Sequence, residues 1–170
     1  MTIDIRTDAR AEYLAGIVKL HVAYYVDEWK FGGQFVERIT DHVSDFIERH
    51  DPAKDLMLTA HQKGALVGSL IMDYTGSADK GAYLRWFIVG ESARGHGLGA
   101  EMMNQAMKWC DQKDYNYRTL STYSGLKAAR ALYDRHGFKL VSETDDDPWG
   151  AGVGEQIFEW RADKNDGYAA

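Results

Sequence analysis

Residues 82–102, AYLRWFIVGESARGHGLGAEM, join an apolar run to a glycine-rich turn and then to a helix-like segment. Glycines stand at 95, 97 and 99, between the end of the apolar run and the start of the helical pattern. Glycine lets the backbone approach a ligand closely, and free N–H groups at the start of a helix attract anions. This stretch therefore predicts a strand, a phosphate-binding turn and a helix.

Hydrophobic periodicity on both sides of this stretch predicts a mixed α/β fold. The first helix is expected to be capped by Asp8 and to end before Gly32 and Gly33. The second helix presents an apolar face that begins at Phe35 and ends before Asp51. Two further helices are expected after Gly97 and over 126–136. The predicted strands are 2–6, 55–62, 65–74, 82–89, 117–123, 138–144 and 154–160.

The connections between these elements predict the topology of the sheet. Lys63-Gly64 leaves room only for a tight hairpin, so the strands on either side of it are antiparallel. The strand–helix–strand unit from 83 to 123 is expected to be a parallel, right-handed crossover. A mixed sheet with helices on both faces follows, as one domain over residues 1–161 with a polar tail at 162–170. The strand at 82–89 is apolar enough to be buried on both faces.

Composition narrows the class of protein. The 170 residues are 45% hydrophobic and 27% charged, and no apolar run is long enough to span a bilayer. The N-terminus lacks a signal-peptide pattern, and the single cysteine, Cys110, fits a reducing compartment, so a cytoplasmic protein is expected. Nucleic-acid binding is disfavoured, because the net charge is −6 and no basic stripe occurs. The six histidines have no metal-ligand spacing, so no metal is expected.

Three kinds of phosphate-binding turn compete for the glycine-rich stretch. A Walker loop would need Lys-Ser/Thr after its last glycine, where Ala100-Glu101 stands instead. A dinucleotide-binding fingerprint matches the letters G95-x-G97-x-x-A100, but it belongs on the first strand of a parallel sheet, whereas an antiparallel hairpin precedes this one. The third possibility begins at Arg94 and is the pattern R94-x-x-G97-x-G99. A tight turn that binds nothing would not need alternate glycines, which cost chain entropy.

The third pattern resembles the pyrophosphate-binding turn [QR]-x-x-G-x-[GA] of the GNAT (Gcn5-related N-acetyltransferase) family. The segment 129–138, ARALYDRHGF, resembles the second signature of the same family, A-x-x-[LI]-Y-x-x-x-G-F. The resemblance extends from about Ile3 to Arg161 in the order of the elements. It is strongest to a subgroup often fused to MarR-type regulators, here in a free-standing form. It implies an acyl-CoA N-acyltransferase fold, with a central, mostly antiparallel sheet of about seven strands.

The resemblance also implies acetyl-CoA as the co-substrate. Backbone groups of the strand before the turn would hold its pantetheine arm, and amides of the turn would hold its pyrophosphate. Many relatives carry an asparagine seven residues before the signature tyrosine, and Leu126 stands there in this chain. The residues implied to contact acetyl-CoA are Phe87, Ile88, Val89, Arg94, Gly95, His96, Gly97, Leu98, Gly99, Ala100 and Ala129.

Roles in catalysis follow from the same resemblance. Tyr133 matches the general acid that protonates the leaving thiolate. Glu28 and His21, near the end of the first helix, are candidates for the base; a solvated surface role for Glu28 remains open. An aromatic acceptor pocket is expected, although each aromatic residue also suits the core. Its candidates are Tyr24, Tyr25, Trp29, Trp86 and Trp149.

Two functions remain in competition at this level. The first is an enzyme that transfers an acetyl group from acetyl-CoA to a primary amine of a small molecule, amino acid or peptide. The second is a non-catalytic acyl-CoA-binding sensor or regulatory module, which would not need an acid at Tyr133. The acidic balance of the chain slightly favours a cationic acceptor. A homodimer is plausible by the habits of the family.

Overall fold

The computed structural model describes residues 2–76 and 81–163. The predicted tail at 162–170 lies outside these residues from 164 onward. No helix in the described ranges is both long and apolar enough to cross a membrane. In chain order the elements are β1 (Asp4–Arg6), α1 (Leu14–His21), α2 (Gln34–Arg49), β2 (Leu56–Gln62), β3 (Ala65–Tyr74), β4 (Gly81–Val89), α3 (Leu98–Gln112), β5 (Tyr117–Tyr123), α4 (Lys127–Arg135), β6 (Lys139–Glu143) and β7 (Glu155–Arg161).

The strands form one seven-stranded sheet in the order β1-β2-β3-β4-β5-β7-β6. Strands β4 and β5 are parallel, and the other neighbours are antiparallel. The predicted hairpin is confirmed: Lys63 and Gly64 both have positive φ, 50° and 81°, as a two-residue turn of this kind requires. The predicted parallel crossover through α3 is also confirmed.

The helices cover both faces of the sheet, as the sequence predicts. Along the strands, alternate residues enter two separate cores: Met57 packs with α2, whereas its neighbour Leu58 packs with α3. The predicted apolar face of α2 is buried at Phe35, and α3 buries Met102. The two cores lie on opposite faces of the sheet, and β6 at its edge contributes no residue to either of them.

The segment before α2 differs from the single capped helix predicted from the sequence. A 3₁₀ turn at Ala11–Tyr13 precedes α1, and a π-helical stretch at Val22–Glu28 follows it. The prediction that Asp8 caps this helix is wrong: its carboxylate accepts hydrogen bonds from Arg10 Nε and, at 3.2 Å, from the hydroxyl of Tyr13. Neighbouring side chains thus satisfy this carboxylate in place of helix amides. π-Helical turns are rare in proteins, and those that occur are often found at functional sites.

Strands β4 and β5 separate partway along their length. Their register runs from Gly81↔Tyr117 to Leu84↔Leu120, after which β4 pairs only with β3 and β5 only with β7. A β-bulge lies in β4 at this point, and within it Trp86 has a φ of +48°. Such a conformation is an outlier for a bulky side chain. The bulge turns β4 aside, so the strand is only partly buried here, contrary to the expectation of burial on both faces.

Candidate active site

The glycine-rich turn lies between the end of β4 and the start of α3. Gly95 and Gly97 have φ angles of 77° and 79°, in the left-handed region that favours glycine. A Cβ atom added at either position would meet no atom within 4 Å. Glycine is required at both positions because of the left-handed backbone conformation and not because of crowding. Both positions face open space.

The start of α3 presents backbone N–H groups beside this turn. Glu101 is the first residue of the helix whose amide donates to a carbonyl, that of Gly97, at 3.0 Å. The amides of Leu98, Gly99 and Ala100 precede it in the first turn, where N–H groups have no acceptor inside the helix. With the positive end of the helix dipole, these groups have the arrangement that favours an anion at a helix N-terminus, and phosphate binding here stays a prediction.

Arg94 joins the glycine-rich turn to the end of the π-helical stretch. Its Nε donates to the carbonyl oxygen of Val89 at 2.9 Å, and its guanidinium carbon lies 4.8 Å from the ring centroid of Tyr24. Its Nη1 lies 3.9 Å from Oε1 of Glu28, whose side chain is 50% exposed. Glu28, which the sequence suggests as the base, therefore lies beside the glycine-rich turn. His96 is exposed, with Nδ1 donating to the carbonyl of Arg94 at 2.8 Å.

Of the three β4 residues predicted to contact pantetheine, Phe87 and Val89 have backbone groups on the edge that faces the gap, whereas Ile88 pairs with β3. The amide of Gly90 donates to Val67 of β3, and the carbonyl of Ile88 also lies against β3. Because backbone groups alternate along a strand, those of Phe87 and Val89 face the other edge, where β5 has moved away. Opposite this edge, a Cβ at Gly99 would lie 3.6 Å from the ring of Phe87, so α3 packs close to the strand.

Tyr133 of α4 lies at the gap, with only 5% of its surface exposed. Burial, with a smaller contribution from the phenol of Tyr24, raises the pKa of Tyr133 above its ordinary value. The phenol is therefore protonated at neutral pH. Ala129 is half-buried one helical turn earlier, and Leu126 is buried at the start of α4, where it offers no polar side-chain atom.

A cavity of about 400 Å³ opens between the separated strands and extends to the face covered by α1 and α2. Tyr133 and Phe87 border it from the side of α3 and α4, and Trp86 and Trp149 from the opposite side. The gap therefore connects the side of the sheet that carries Tyr133 with the part of the cavity that lies on the α1 and α2 face. The cavity lining is His21, Tyr25, Phe35, Arg38, His42, Tyr83, Leu84, Arg85, Trp86, Phe87, Ser121, Thr122, Tyr123, Tyr133, Pro148, Trp149 and Glu155.

The structure separates the predicted acceptor aromatics into two groups. Trp86, Trp149 and Tyr25 line the cavity. Tyr24 lies outside it, under Arg94, and Trp29 packs on the turn before α4, 3.2 Å from where a Cβ of Gly125 would lie. Tyr24 therefore borders the glycine-rich turn and Trp29 borders the start of α4, and neither lines the cavity.

Three buried nitrogens of residues that line the cavity have no hydrogen-bond partner within residues 2–76 and 81–163. They are Nε2 of His21, Nε of Arg85 and Nε1 of Trp86. Nδ1 of His21 lies 2.8 Å from the carbonyl of Ile17, which only accepts, so Nδ1 carries the hydrogen and Nε2 is an acceptor. Burial lowers the pKa of His21 to about 4, so the ring is neutral at physiological pH. One acceptor, on His21, and two donors, on Arg85 and Trp86, thus have no polar partner among the described residues.

Several cavity residues carry charge or hydrogen bonds that sequence reasoning missed. Tyr123 accepts a hydrogen bond from Nε1 of Trp149 at 2.7 Å, which fixes the loop before β7 over the cavity. Glu155 accepts a hydrogen bond from the hydroxyl of Ser121. The available signal was the alternation of polar residues in the strand 117–123, which implies that one set of its side chains shares a face.

The model of the acetyltransferase (GNAT) family matches residues 14–138. No curated protein sequence matches the chain. An acetyltransferase from Streptococcus agalactiae 2603 has the same fold at 20% identity, with a TM-score of 0.76 over 94% of this chain and 98% of that one.

Two further solved structures share the fold. The ribosomal-protein-alanine N-acetyltransferase from Brucella melitensis is 15% identical, with a TM-score of 0.74 over 94% of this chain and 99% of that chain. The microcin C7 self-immunity acetyltransferase MccE, solved in complex with acetyl-CoA and AMP, is 15% identical, with a TM-score of 0.70 over 94% and 93%. With the family model covering most of its length, the chain belongs to the GNAT family and is an acyltransferase.

Proposed function

We propose that the protein transfers an acetyl group from acetyl-CoA to a primary amine of a small molecule, amino acid or peptide. The observation that carries this proposal is the gap between β4 and β5. The glycine turn lies at one end of the gap, Tyr133 beside it, and the cavity beyond it. In this proposal residues 1–161 act as one N-acetyltransferase domain; a homodimer and a cytoplasmic location stay predictions.

The donor site fits a diphosphate attached to an extended arm. Amides of Leu98, Gly99 and Ala100 supply donors for the pyrophosphate, and the open space at Gly95 and Gly97 leaves room for it. The edge of β4 at Phe87 and Val89, where the carbonyl of Val89 already accepts a hydrogen bond from Arg94, supplies its remaining backbone groups to the amides of the pantetheine arm. The same N–H groups would stabilise negative charge on the thioester oxygen as it is attacked.

The reaction proposed is direct transfer. The lone pair of the neutral amine attacks the thioester carbonyl carbon, a C–N bond forms, and the C–S bond breaks with its electron pair on sulfur. The nitrogen loses one proton before the attack and a second as the amide forms. The sulfur gains one proton, so the reaction releases one proton overall with the amide and the free CoA thiol.

Tyr133 is the proposed proton donor for the leaving sulfur. A thiol has an ordinary pKa of about 8.5, so the demand for an acid is modest. The raised pKa of the buried phenol keeps its proton available throughout the neutral range. The phenol hydrogen-bonds the sulfur as negative charge develops there, and water then restores its proton.

His21 is better placed than Glu28 to contact the amine, because it lines the cavity and Glu28 does not. With a pKa near 4, His21 is too weak a base to deprotonate an alkylammonium, whose pKa is about 10.4. Its Nε2 instead accepts a hydrogen bond from the neutral amine and orients it. The first proton leaves through water in the cavity, and the role of Glu28 as base stays a prediction.

The Tyr133→Phe variant tests this function. Turnover is followed as release of CoA thiol across a panel of amines, and CoA binding by calorimetry. We expect kcat to fall by roughly 10²–10⁴-fold with the dissociation constant of CoA nearly unchanged, because a general acid contributes about this much. Tyr115→Phe is the control, since Tyr115 is equally buried but bonds to the carbonyl of Lys54 away from the gap.

Two outcomes would contradict the proposal. If the wild-type protein binds CoA but acetylates no amine in the panel, the proposed function is wrong, and the alternative of a non-catalytic acyl-CoA-binding module is supported. If Tyr133→Phe turns over as fast as wild type, the role assigned to the phenol is wrong, although acetyl transfer stands.

A further inference from the structure

The charge of the cavity differs from that of the whole chain. Two arginines, Arg38 from α2 and Arg85 from β4, line it, and among the described residues the one carboxylate lining it is Glu155. The chain as a whole carries a net charge of −6. The side chains around the cavity therefore give information on the acceptor that composition does not.

Arg38 stands at the cavity over an aromatic ring. Its guanidinium carbon lies 5.5 Å from the ring centroid of Trp149. In residues 2–76 and 81–163, it has no ion pair with a carboxylate. Arg38 shares a face of α2 with Phe35 and His42, which also line the cavity. A cation in this position is available to an anionic ligand.

Arg85 has a carboxylate neighbour that is already engaged. Asp73, whose side chain is 6% exposed, accepts two hydrogen bonds from Arg49, at 2.9 and 2.7 Å. Nε of Arg85 lies 3.4 Å from Oδ2 of Asp73 but makes no hydrogen bond, so it is a buried donor without an acceptor in the described residues. Arg49 also pairs with the exposed Asp45, so two carboxylates face these two guanidinium groups, and what remains is the unsatisfied N–H donor of Arg85 at the cavity wall.

The fields of both arginines act on the same part of the cavity. Burial lowers the pKa of His42, the charges of Arg38 and Arg85 lower it further, and the more weakly acting carboxylates of Asp41 and Asp45 oppose this shift. The ring of His42 lies 5.7 Å from that of Trp86 at the bulge. The two arginines that line the cavity, one from α2 and one from β4, therefore both act on His42, beside the aromatic rings of the cavity.

Glu155 provides the opposite charge near the gap. It accepts a hydrogen bond from Ser121, which directly follows Leu120, the last β5 residue paired with β4. Its carboxylate is therefore held beside the point at which the two strands separate. A group with a positive nitrogen at Glu155 would stand next to the proposed thioester.

We propose that the acceptor is a free amino acid with an apolar side chain. Its carboxylate would bind at Arg38 and Arg85, its amino group would lie towards Glu155 and the gap, and its side chain would contact the aromatic rings. This inference rests on the proposed function, since it names the amine that the same site acetylates. The transferred atoms and protons are those given above, with the amino-acid nitrogen as the nucleophile.

The test compares each amino acid with its amide and its decarboxylated amine. Leucine, methionine, phenylalanine and tryptophan are assayed in these three forms by CoA-thiol release. We expect kcat/KM to be about tenfold or more higher for the free acids, because the other two forms leave the arginines without a charged partner. In R38M this ratio falls towards one, while the matched surface variant R10M keeps the wild-type ratio.

The possible outcomes separate this inference from the function on which it rests. Equal rates for acid, amide and amine would overturn the inference and leave N-acetyl transfer intact, as would preference for a peptide N-terminus. An unchanged preference in R38M would also overturn it. Failure of every amine to release CoA thiol, with CoA still bound, would overturn the proposed function and the inference together.

Discussion

Replacing Gly97 by alanine separates ligand binding at the turn from backbone strain. Gly97 has a φ of 79°, and a Cβ added there meets no atom within 4 Å. The left-handed conformation costs an L-residue roughly 1–2 kcal/mol. For a chain of this size, this lowers Tm by about 2–8 °C. Because no clash adds to the strain, the fold itself should survive.

Gly64→Ala is a matched control for this variant. Gly64 has a φ of 81°, again with no atom within 4 Å of an added Cβ, but it lies in the β2–β3 hairpin. We expect both variants to lose about the same stability. In Gly97→Ala the methyl group also enters the space assigned to the pyrophosphate and disturbs at least one charge-assisted hydrogen bond, worth about 1.5–3 kcal/mol.

The expected result is a dissociation constant for CoA about 10–100-fold weaker in Gly97→Ala and unchanged in Gly64→Ala. Calorimetric scanning gives the Tm of each variant, and titration calorimetry gives its affinity for CoA. If the two variants bind CoA equally well, the glycine turn does not hold the pyrophosphate, and the donor-site argument fails.

Two further predictions concern buried charge. His21 has its pKa lowered to about 4 by burial, so the unfolded state binds more protons between pH 6.5 and 4, and acid should destabilise the fold across this window by up to about 3 kcal/mol. Denaturant titrations of wild type and His21→Gln should therefore converge as the pH falls; parallel curves would contradict the assignment. Asp73→Asn removes the buried partner of Arg49, leaves this arginine only the exposed Asp45, and should cost about 1.5–3 kcal/mol of unfolding free energy, because charge-assisted hydrogen bonds to a buried carboxylate are lost. Asp45→Asn removes an exposed partner of the same arginine and should cost under about 1 kcal/mol; equal losses would refute the distinction.

The fold was predictable from the sequence wherever the length or pattern of a short segment allowed only one structure. Lys63-Gly64 leaves two residues between strands, and only a tight antiparallel hairpin fits that length. The 27 residues between Val89 and Tyr117 hold a helix, which permits the parallel crossover. Alternation and helical spacing then assign side chains to the two cores. Each of these features depends on residues close together in sequence.

The parts that sequence could not supply depend on contacts between distant segments. The bulge and the positive φ at Trp86 arise where β3 and β4 fall out of register, and no local pattern announces them. Asp8 suits a helix cap by type, but Tyr13 and Arg10 occupy its carboxylate. Net charge favoured a cationic acceptor, whereas the α2 wall brings Arg38 to the cavity. The net charge of a chain does not tell where in the structure its charged side chains lie.

A crystal structure with bound acetyl-CoA tests the central claim most directly. The account predicts pyrophosphate oxygens on the amides of Leu98, Gly99 and Ala100, and pantetheine along Phe87 and Val89. The thioester sulfur should lie within about 3–3.5 Å of the phenol oxygen of Tyr133. A cofactor bound away from the gap, or strands β4 and β5 paired along their full length in that complex, would contradict the account.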